Sequence, residues 1–223
     1  MRALIRFGKE RRLRFVSHLD LQRFFQRALN RTELPIAFSQ GFNPHAVMSF
    51  ASALAMGWTS EYEVLDVKLA GEVSVDQVET AMRRALPEDL PVYAVRLVED
   101  RFPACMALVQ AAEYEILPGA HTEALLAEIP GYLREKSVMG IRKTKSGERA
   151  IDIRPLTYRL ERTDSGLLAR LALTERDTLK PDVLVCSLAQ RAKVDVPEIQ
   201  VRRLCLLAGD AGGSLVPLME RRA

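Results

Sequence analysis

Residues 62–98 read YEVLDVKLAGEVSVDQVETAMRRALPEDLPVYAVRLV, and this run decides the fold. Tyr62 to Leu69 alternates around Val64, Leu65 and Val67 and predicts a strand. Ser74 and Gln77 stand three apart as a capping box, so a helix is expected over Val75 to Leu86, stopped by Pro87 and Pro91. Val92 to Val98 then reads as a second strand.

Working back from this unit, Arg2 to Phe7 and Arg12 to Val16 alternate apolar and basic residues around Gly8-Lys9, as strands joined by a turn would. Ser17 is placed to cap the next helix, with Asp20 three positions on as a weaker capping box. Leu21, Phe24, Phe25, Ala28 and Leu29 recur at helical spacing, and Arg23, Arg27 and Arg31 form a stripe on another face. Pro35 ends that helix, and Ile36 to Phe38 is a short strand candidate. The resulting order, strand, helix, strand, strand, helix, strand, is the ferredoxin-like βαββαβ arrangement.

Working forward, the plan repeats loosely from about Ala112. Tyr114 to Leu117 reads as a strand, Thr122 to Leu133 as a helix, Val138 to Lys143 as a strand and Ala150 to Glu161 as a long strand. Thr163-Asp164-Ser165-Gly166 makes a hairpin turn into Leu167 to Thr174. Pro181 opens a helix through about Ala192, and Ile199 to Leu207 closes the set. The expectation is therefore an α+β protein of two ferredoxin-like halves with antiparallel sheets. Residues 1–104 are expected to form one domain, 105–210 the second, and 211–223 a flexible tail that opens with Ala211-Gly212-Gly213-Ser214.

Charge is uneven along the chain, although the net value over 223 residues is only +3. Residues 1–34 carry nine basic and three acidic side chains, residues 134–162 nine and four, and residues 60–133 five and fourteen. Arg12, Arg14, Arg23, Arg27 and Arg31 could track phosphates, with Lys143, Lys145 and Arg154 extending the track from the second half. A solvated face is the ordinary role of any one of these residues. The three cysteines, Cys105, Cys186 and Cys205, are odd in number and far apart, which argues against a disulfide framework and for a reducing, cytoplasmic setting. No spacing suits a zinc or iron–sulfur site, and no apolar run reaches membrane-spanning length.

The block Ser17 to Asp66 packs two of the three histidines among polar and turn residues. His18 stands at a helix N-terminus as an acid–base or ligand-contacting candidate, with bracing of the first turn as its plainer role. His45 follows Asn43-Pro44, a rigid turn able to aim a ring. Asp20, Glu61, Glu63 and Asp66 supply carboxylates, of which Glu63 reads as the polar face of a strand. Phe42, Phe50 and Trp58 could stack on bases, Phe50 being better explained by the core.

Within this block, SHLDLQRFFQRALNRTELP and SQGFNPHAVMSFASALAMGWTSEYEVLDVKL closely resemble the radical-SAM-linked proteins. That family is a domain of unknown function found beside, or fused to the C-terminal side of, a radical-SAM protein. The resemblance covers most of residues 1–100 and continues weakly through KTKSGERAIDIRPL. Ala46 and Ala55 depart from it, standing where proline is usual. The resemblance implies that a partner performs the radical chemistry with its iron–sulfur cluster and S-adenosylmethionine, since this chain lacks the three-cysteine signature. The chain itself is expected to hold no metal or cofactor and to recognise a substrate, with RNA the favoured class because of its basic segments. Two other readings stand beside it: an RNA-processing or RNA-modifying enzyme using His18, His45 and an acidic residue such as Asp20, by fold-level analogy with ferredoxin-like CRISPR ribonucleases, and a protein-binding scaffold whose basic face meets an acidic partner. Separately, Arg162-Thr163-Asp164-Ser165-Gly166-Leu167 resembles the RTDxG loop of tRNA pseudouridine synthases, whose aspartate is the nucleophile. Here the same residues are ordinary for a turn.

Overall fold

The computed structural model describes residues 1–144 and 147–221. Lys145, one of the expected basic contacts, lies outside the described residues. The protein is of mixed α and β type, its strands mostly antiparallel, and it divides into two compact units: Met1–Val109 with the segment from Ala208 onward, and Gln110–Leu207.

In the first unit, β1 (Arg2–Lys9) is followed by a 3-10 turn at Arg11–Phe15, α1 (His18–Asn30), β2 (Met48–Phe50), β3 (Thr59–Lys68), α2 (Val75–Ala85), β4 (Val92–Val98) and the short α3 (Cys105–Leu108). The strands lie in the order β4-β1-β3, with β2 on the other side of β3, and the β1–β3, β1–β4 and β2–β3 pairings are antiparallel. Ile5 lies opposite Leu65 and Ala3 opposite Val67. These side chains share one face of the sheet, where they meet Leu21, Phe25, Ala28 and Leu29 of α1 and Val78 and Met82 of α2 in a single buried cluster. The period-2 pattern of the strands and the 3.6-residue pattern of the helices thus close on the same core. Both helices begin as expected: the Ser17 hydroxyl accepts from Asp20 N–H at 3.2 Å, and Ser74 and Gln77 form the full capping box.

Two expected strands of this unit are not formed. Arg12–Val16 is helical because Leu13 and Val16, three residues apart, are the side chains that pack on the core, while Arg12, Arg14 and Phe15 face outward. That is the 3-10 period, not the strand period. Ile36 to Phe38 makes only isolated bridges, Ile36 with Leu69 and Phe38 with Ala46. The edge strand is β2 instead, a segment without clear alternation.

In the second unit, β5 (Val109–Pro118) leads to α4 (Thr122–Ala127) and α5 (Ile129–Arg134), followed by β6 (Met139–Thr144), β7 (Gly147–Asp152), β8 (Thr157–Arg162), β9 (Leu167–Ala172), α6 (Pro181–Ala192) and β10 (Ile199–Gly209). The strand order is β10-β5-β9-β8, and β6 pairs with β7 as a separate hairpin. The helix expected over Thr122 to Leu133 is two short ones, broken at Glu128, with Pro130 at the start of the second. The long strand expected over Ala150 to Glu161 is likewise split. Asp152 Oδ1 accepts from Arg154 N–H at 3.1 Å and Thr157 N–H bonds to Arg154 C=O at 3.2 Å, folding the chain into a turn at Arg154-Pro155. Proline has no N–H to continue the ladder. Beyond β10, a turn over residues 210–214 leads to β11 (Leu215–Pro217), after which Leu218 is buried and Met219 N–H bonds to Tyr62 Oη at 3.0 Å.

Candidate functional site

One face of α1 faces the core; the adjoining face borders a groove. Leu19, Gln22, Arg23, Gln26 and Arg27 recur at the i, i+3, i+4, i+7 and i+8 positions and therefore lie together along the helix. Asn43 and His45, from the loop that follows α1, line the same shallow, open groove of about 410 Å³. The loop is shaped by its own residues. Gly41 adopts φ 125°, a backbone conformation that favours glycine, and Phe42 next to it is fully exposed.

Ser39 fixes His45. Its hydroxyl accepts the His45 backbone N–H at 3.1 Å and lies 2.9 Å from His45 Nδ1, while Ser39 N–H bonds to His45 C=O at 2.9 Å. Nδ1 is also 3.4 Å from the Asn43 carbonyl. Gln26 ties the helix to the loop by donating from Nε2 to the Ala46 carbonyl at 3.4 Å.

The two groove arginines differ. Asp20 Oδ2 accepts from the Ser17 hydroxyl at 2.7 Å, and its Oδ1 accepts from Arg23 Nη1 at 3.2 Å. The Ser17 hydrogen bond first, then Arg23 and the charge of Arg27, hold the Asp20 carboxyl below the usual carboxylate range. Asp20 thus partly neutralises Arg23. Arg27 has no hydrogen bond or ion pair with any described residue.

The structure therefore gathers Arg23, Arg27, Asn43 and His45 in one place, with Phe42 beside them and Asp20 at the edge. The other candidates stand elsewhere. The His18 ring packs edge-on against buried Phe50, 5.2 Å between centroids, and does not line the groove. Arg12 and Arg14 lie on the 3-10 turn, where the Arg14 guanidinium sits 4.7 Å over the Phe15 ring. The Arg14 carbonyl accepts from Gly57 N–H at 2.7 Å, which anchors the turn carrying half-buried Trp58. Arg31 donates to the Ala85 carbonyl at 3.2 Å and lines a separate cleft with Arg84. In the second unit, Lys143 stands on β6. Arg154 is committed to the fold, donating to Thr157 C=O at 3.1 Å and Leu133 C=O at 3.2 Å, with its guanidinium 5.9 Å over the Tyr132 ring. Asp164 lies in the β8–β9 turn, closed by Thr163 N–H to Gly166 C=O at 2.9 Å.

Sequence reasoning missed Leu19, Gln22 and Gln26, although their helical spacing from Arg23 and Arg27 was available. It also missed Ser39, whose pairing with His45 depends on how the loop closes. A further omission is the charged pair beneath the start of α1. Lys9 is fully buried and donates from Nζ to the Val16 carbonyl at 2.8 Å, and Glu63, read from sequence as a polar face, is buried too. Burial pulls the Lys9 ammonium below the ordinary lysine range, with the charge of Glu63 opposing that shift. Asp66 is buried against Arg2 in a two-pronged bond of 3.0 and 2.8 Å. Burial first, and then the charge of Asp66, push the nearby Cys105 thiol up to about 12.

Among the described residues, no three His, Cys, Asp or Glu side chains come together as metal ligands would, and no helix is long and apolar enough to cross a membrane. The model of a family described as an uncharacterized protein conserved in bacteria (DUF2344) matches residues 2–181. The chain belongs to this family. No curated protein matches it. The DUF2344 span contains the whole groove and all of the first-unit candidates, and in the second unit it reaches the first residue of α6.

Proposed function

We propose that this protein is an accessory or substrate-recognition partner of a radical-SAM enzyme, acting on an RNA-related substrate without catalysing the reaction itself. The observation that carries this reading is the α1 groove: two arginines, three carboxamides and a pinned histidine in an open channel, a donor-rich surface suited to a polyanion. Every groove residue falls within the SHLD and GFNPH segments that resemble the radical-SAM-linked proteins. The strand orders β4-β1-β3-β2 and β10-β5-β9-β8 accord with two ferredoxin-like βαββαβ modules, the second carrying the β6–β7 hairpin as an insertion. On this reading the partner supplies the iron–sulfur cluster and S-adenosylmethionine, and the pair works in the cytoplasm.

The test is co-purification with a radical-SAM protein encoded beside this one, together with RNA binding followed over a salt series. A stable complex and binding that weakens with salt are expected. No complex and no binding at low salt would overturn the proposal. So would RNA processing by the isolated chain that is abolished by His45→Ala, which would make the protein an enzyme in its own right.

A further inference from the structure

Within the RNA-related reading just given, on which this inference rests, we propose that the α1 groove takes a single-stranded segment with an unstacked base. Arg27 contacts its phosphate, Phe42 stacks on the base, and Gln22, Gln26 and Asn43 meet the base edges.

Three observations lead there. Arg27 is exposed and unpaired among the described residues, whereas Arg23 one turn earlier is shared with Asp20. The groove thus presents one uncommitted guanidinium, suited to one phosphate oxygen pair. Phe42 is the most exposed of the large apolar side chains, at 112 % of its reference area, and stands in a loop held by Gly41, Pro44 and the Ser39–His45 bonds. An aromatic ring with both faces in water has no packing role in the unit, and base stacking uses such a face irrespective of sequence. Finally, three carboxamides line one short groove; Gln26 has one donor committed to the Ala46 carbonyl, and the donors and acceptors that remain suit the Watson–Crick and Hoogsteen edges of a splayed base.

The dimensions fit a short strand and not a duplex. From Leu19 to Arg27 the helix rises about 12 Å, enough for a few nucleotides. In an A-form duplex the bases are stacked and paired, so Phe42 would have no free face to meet and only the phosphate contact would remain. An acidic peptide could also satisfy Arg27 and, through its backbone, the carboxamides, but without aromatic residues it would bring no base-like flat face to Phe42.

The experiment measures binding of the full chain to a fluorescent single-stranded RNA of mixed sequence, its perfect duplex and the matched single-stranded DNA, each over a salt series. Phe42→Ala, Arg27→Ala and, as a surface control, Arg101→Ala are compared with the parent, and thermal melting verifies that all are folded. The single strand is expected to bind at least tenfold more tightly than the duplex. Phe42→Ala should weaken single-strand binding roughly tenfold and leave duplex binding unchanged. Arg27→Ala should lower the slope of log affinity against log salt by about 0.7, the share of one phosphate on a single strand. Arg101→Ala should change neither. RNA binding unaffected by Phe42→Ala and Arg27→Ala, or duplex bound as tightly as single strand, overturns the groove assignment and leaves the broader RNA-related reading standing. Preference for DNA overturns the RNA assignment, and absence of any nucleic-acid binding at low salt overturns both.

Discussion

Arg27 on α1 and Arg154 in the second unit belong to segments that look alike in charge, yet the structure uses them in opposite ways. Arg154 spends its donors on the carbonyls of Thr157 and Leu133 and lies over Tyr132, closing the turn that separates β7 from β8. Arg27 lies on an exposed face with no hydrogen bond or close ion pair among the described residues, its charge acting on Asp20 from farther away. Arg2 is a still stronger case of the first kind, gripping Asp66 with two nitrogens while a third donates to Phe102 C=O at 2.6 Å and Asp100 C=O at 3.3 Å. A basic stretch in sequence therefore has no single meaning. What separates a binding arginine from a structural one is whether the fold leaves backbone carbonyls and carboxylates within its reach.

That contrast can be broken by substitution. The largest effect is expected for Arg2→Ala, which leaves Asp66 as a buried charge without its partner and should cost about 3–5 kcal/mol in urea unfolding. A loss under 1 kcal/mol would mean that water reaches Asp66 in place of the guanidinium. Arg154→Ala should follow at about 1–3 kcal/mol, through two lost charged hydrogen bonds and the uncovered Tyr132 ring. Arg27→Ala should lie within about 0.5 kcal/mol of the parent, as for a surface side chain, while changing nucleic-acid affinity. If Arg27→Ala and Arg154→Ala cost the same, the division between the two kinds of arginine fails.

The β8–β9 turn offers a sharper version within four residues. A Cβ at Gly166 would collide with the Ile116 carbonyl oxygen, so Gly166→Ala must shift backbone and is expected to cost about 1–3 kcal/mol. Asp164→Ala, two residues away, should be nearly neutral in stability and leave activity unchanged in a complex with the proposed radical-SAM partner. Loss of activity in Asp164→Ala with stability intact would instead revive the pseudouridine-synthase-like reading of this loop.

Much of the fold was legible because two independent periods converge on one core. The Ser74–Gln77 box, the Leu21–Phe25–Leu29 stripe and the Ile5 and Leu65 positions all follow from local spacing, and each is where the pattern puts it. What the sequence hid was decided by longer-range packing. Arg12–Val16 alternates like a strand, but Leu13 and Val16 are both needed by the core, and only a 3-10 turn points them the same way. Lys9 looked like a turn residue beside Gly8 and is instead enclosed, because the turn that follows β1 covers it and supplies the Val16 carbonyl. For the groove, Arg23, Arg27, Asn43 and His45 were evident as residue types. Their convergence depends on a loop closed by Ser39 across six positions, and no local rule specifies that contact.

The last effect concerns pH. The Cys105 thiol is raised in the folded state to about 12 from an ordinary 9.0, so the folded protein retains a proton that the unfolded chain releases. Its contribution to stability is complete below pH 9 and is lost as pH rises towards 12. Stability differences between the parent and Cys105→Ala should therefore shift against the parent across that window and be constant below it. A constant difference throughout would show that the thiol is not enclosed as described.

On the proposed function, α1 and the loop after it form the recognition surface while Arg2 and Arg154 serve the fold. Backbone amide NMR of the labelled full chain, titrated with single-stranded RNA, addresses it directly. The account predicts shifts concentrated at Leu19 to Arg27 and Phe42 to His45, with the amides around Arg154 unmoved. Shifts centred on Arg154 and the β6–β7 hairpin, with α1 silent, would contradict it.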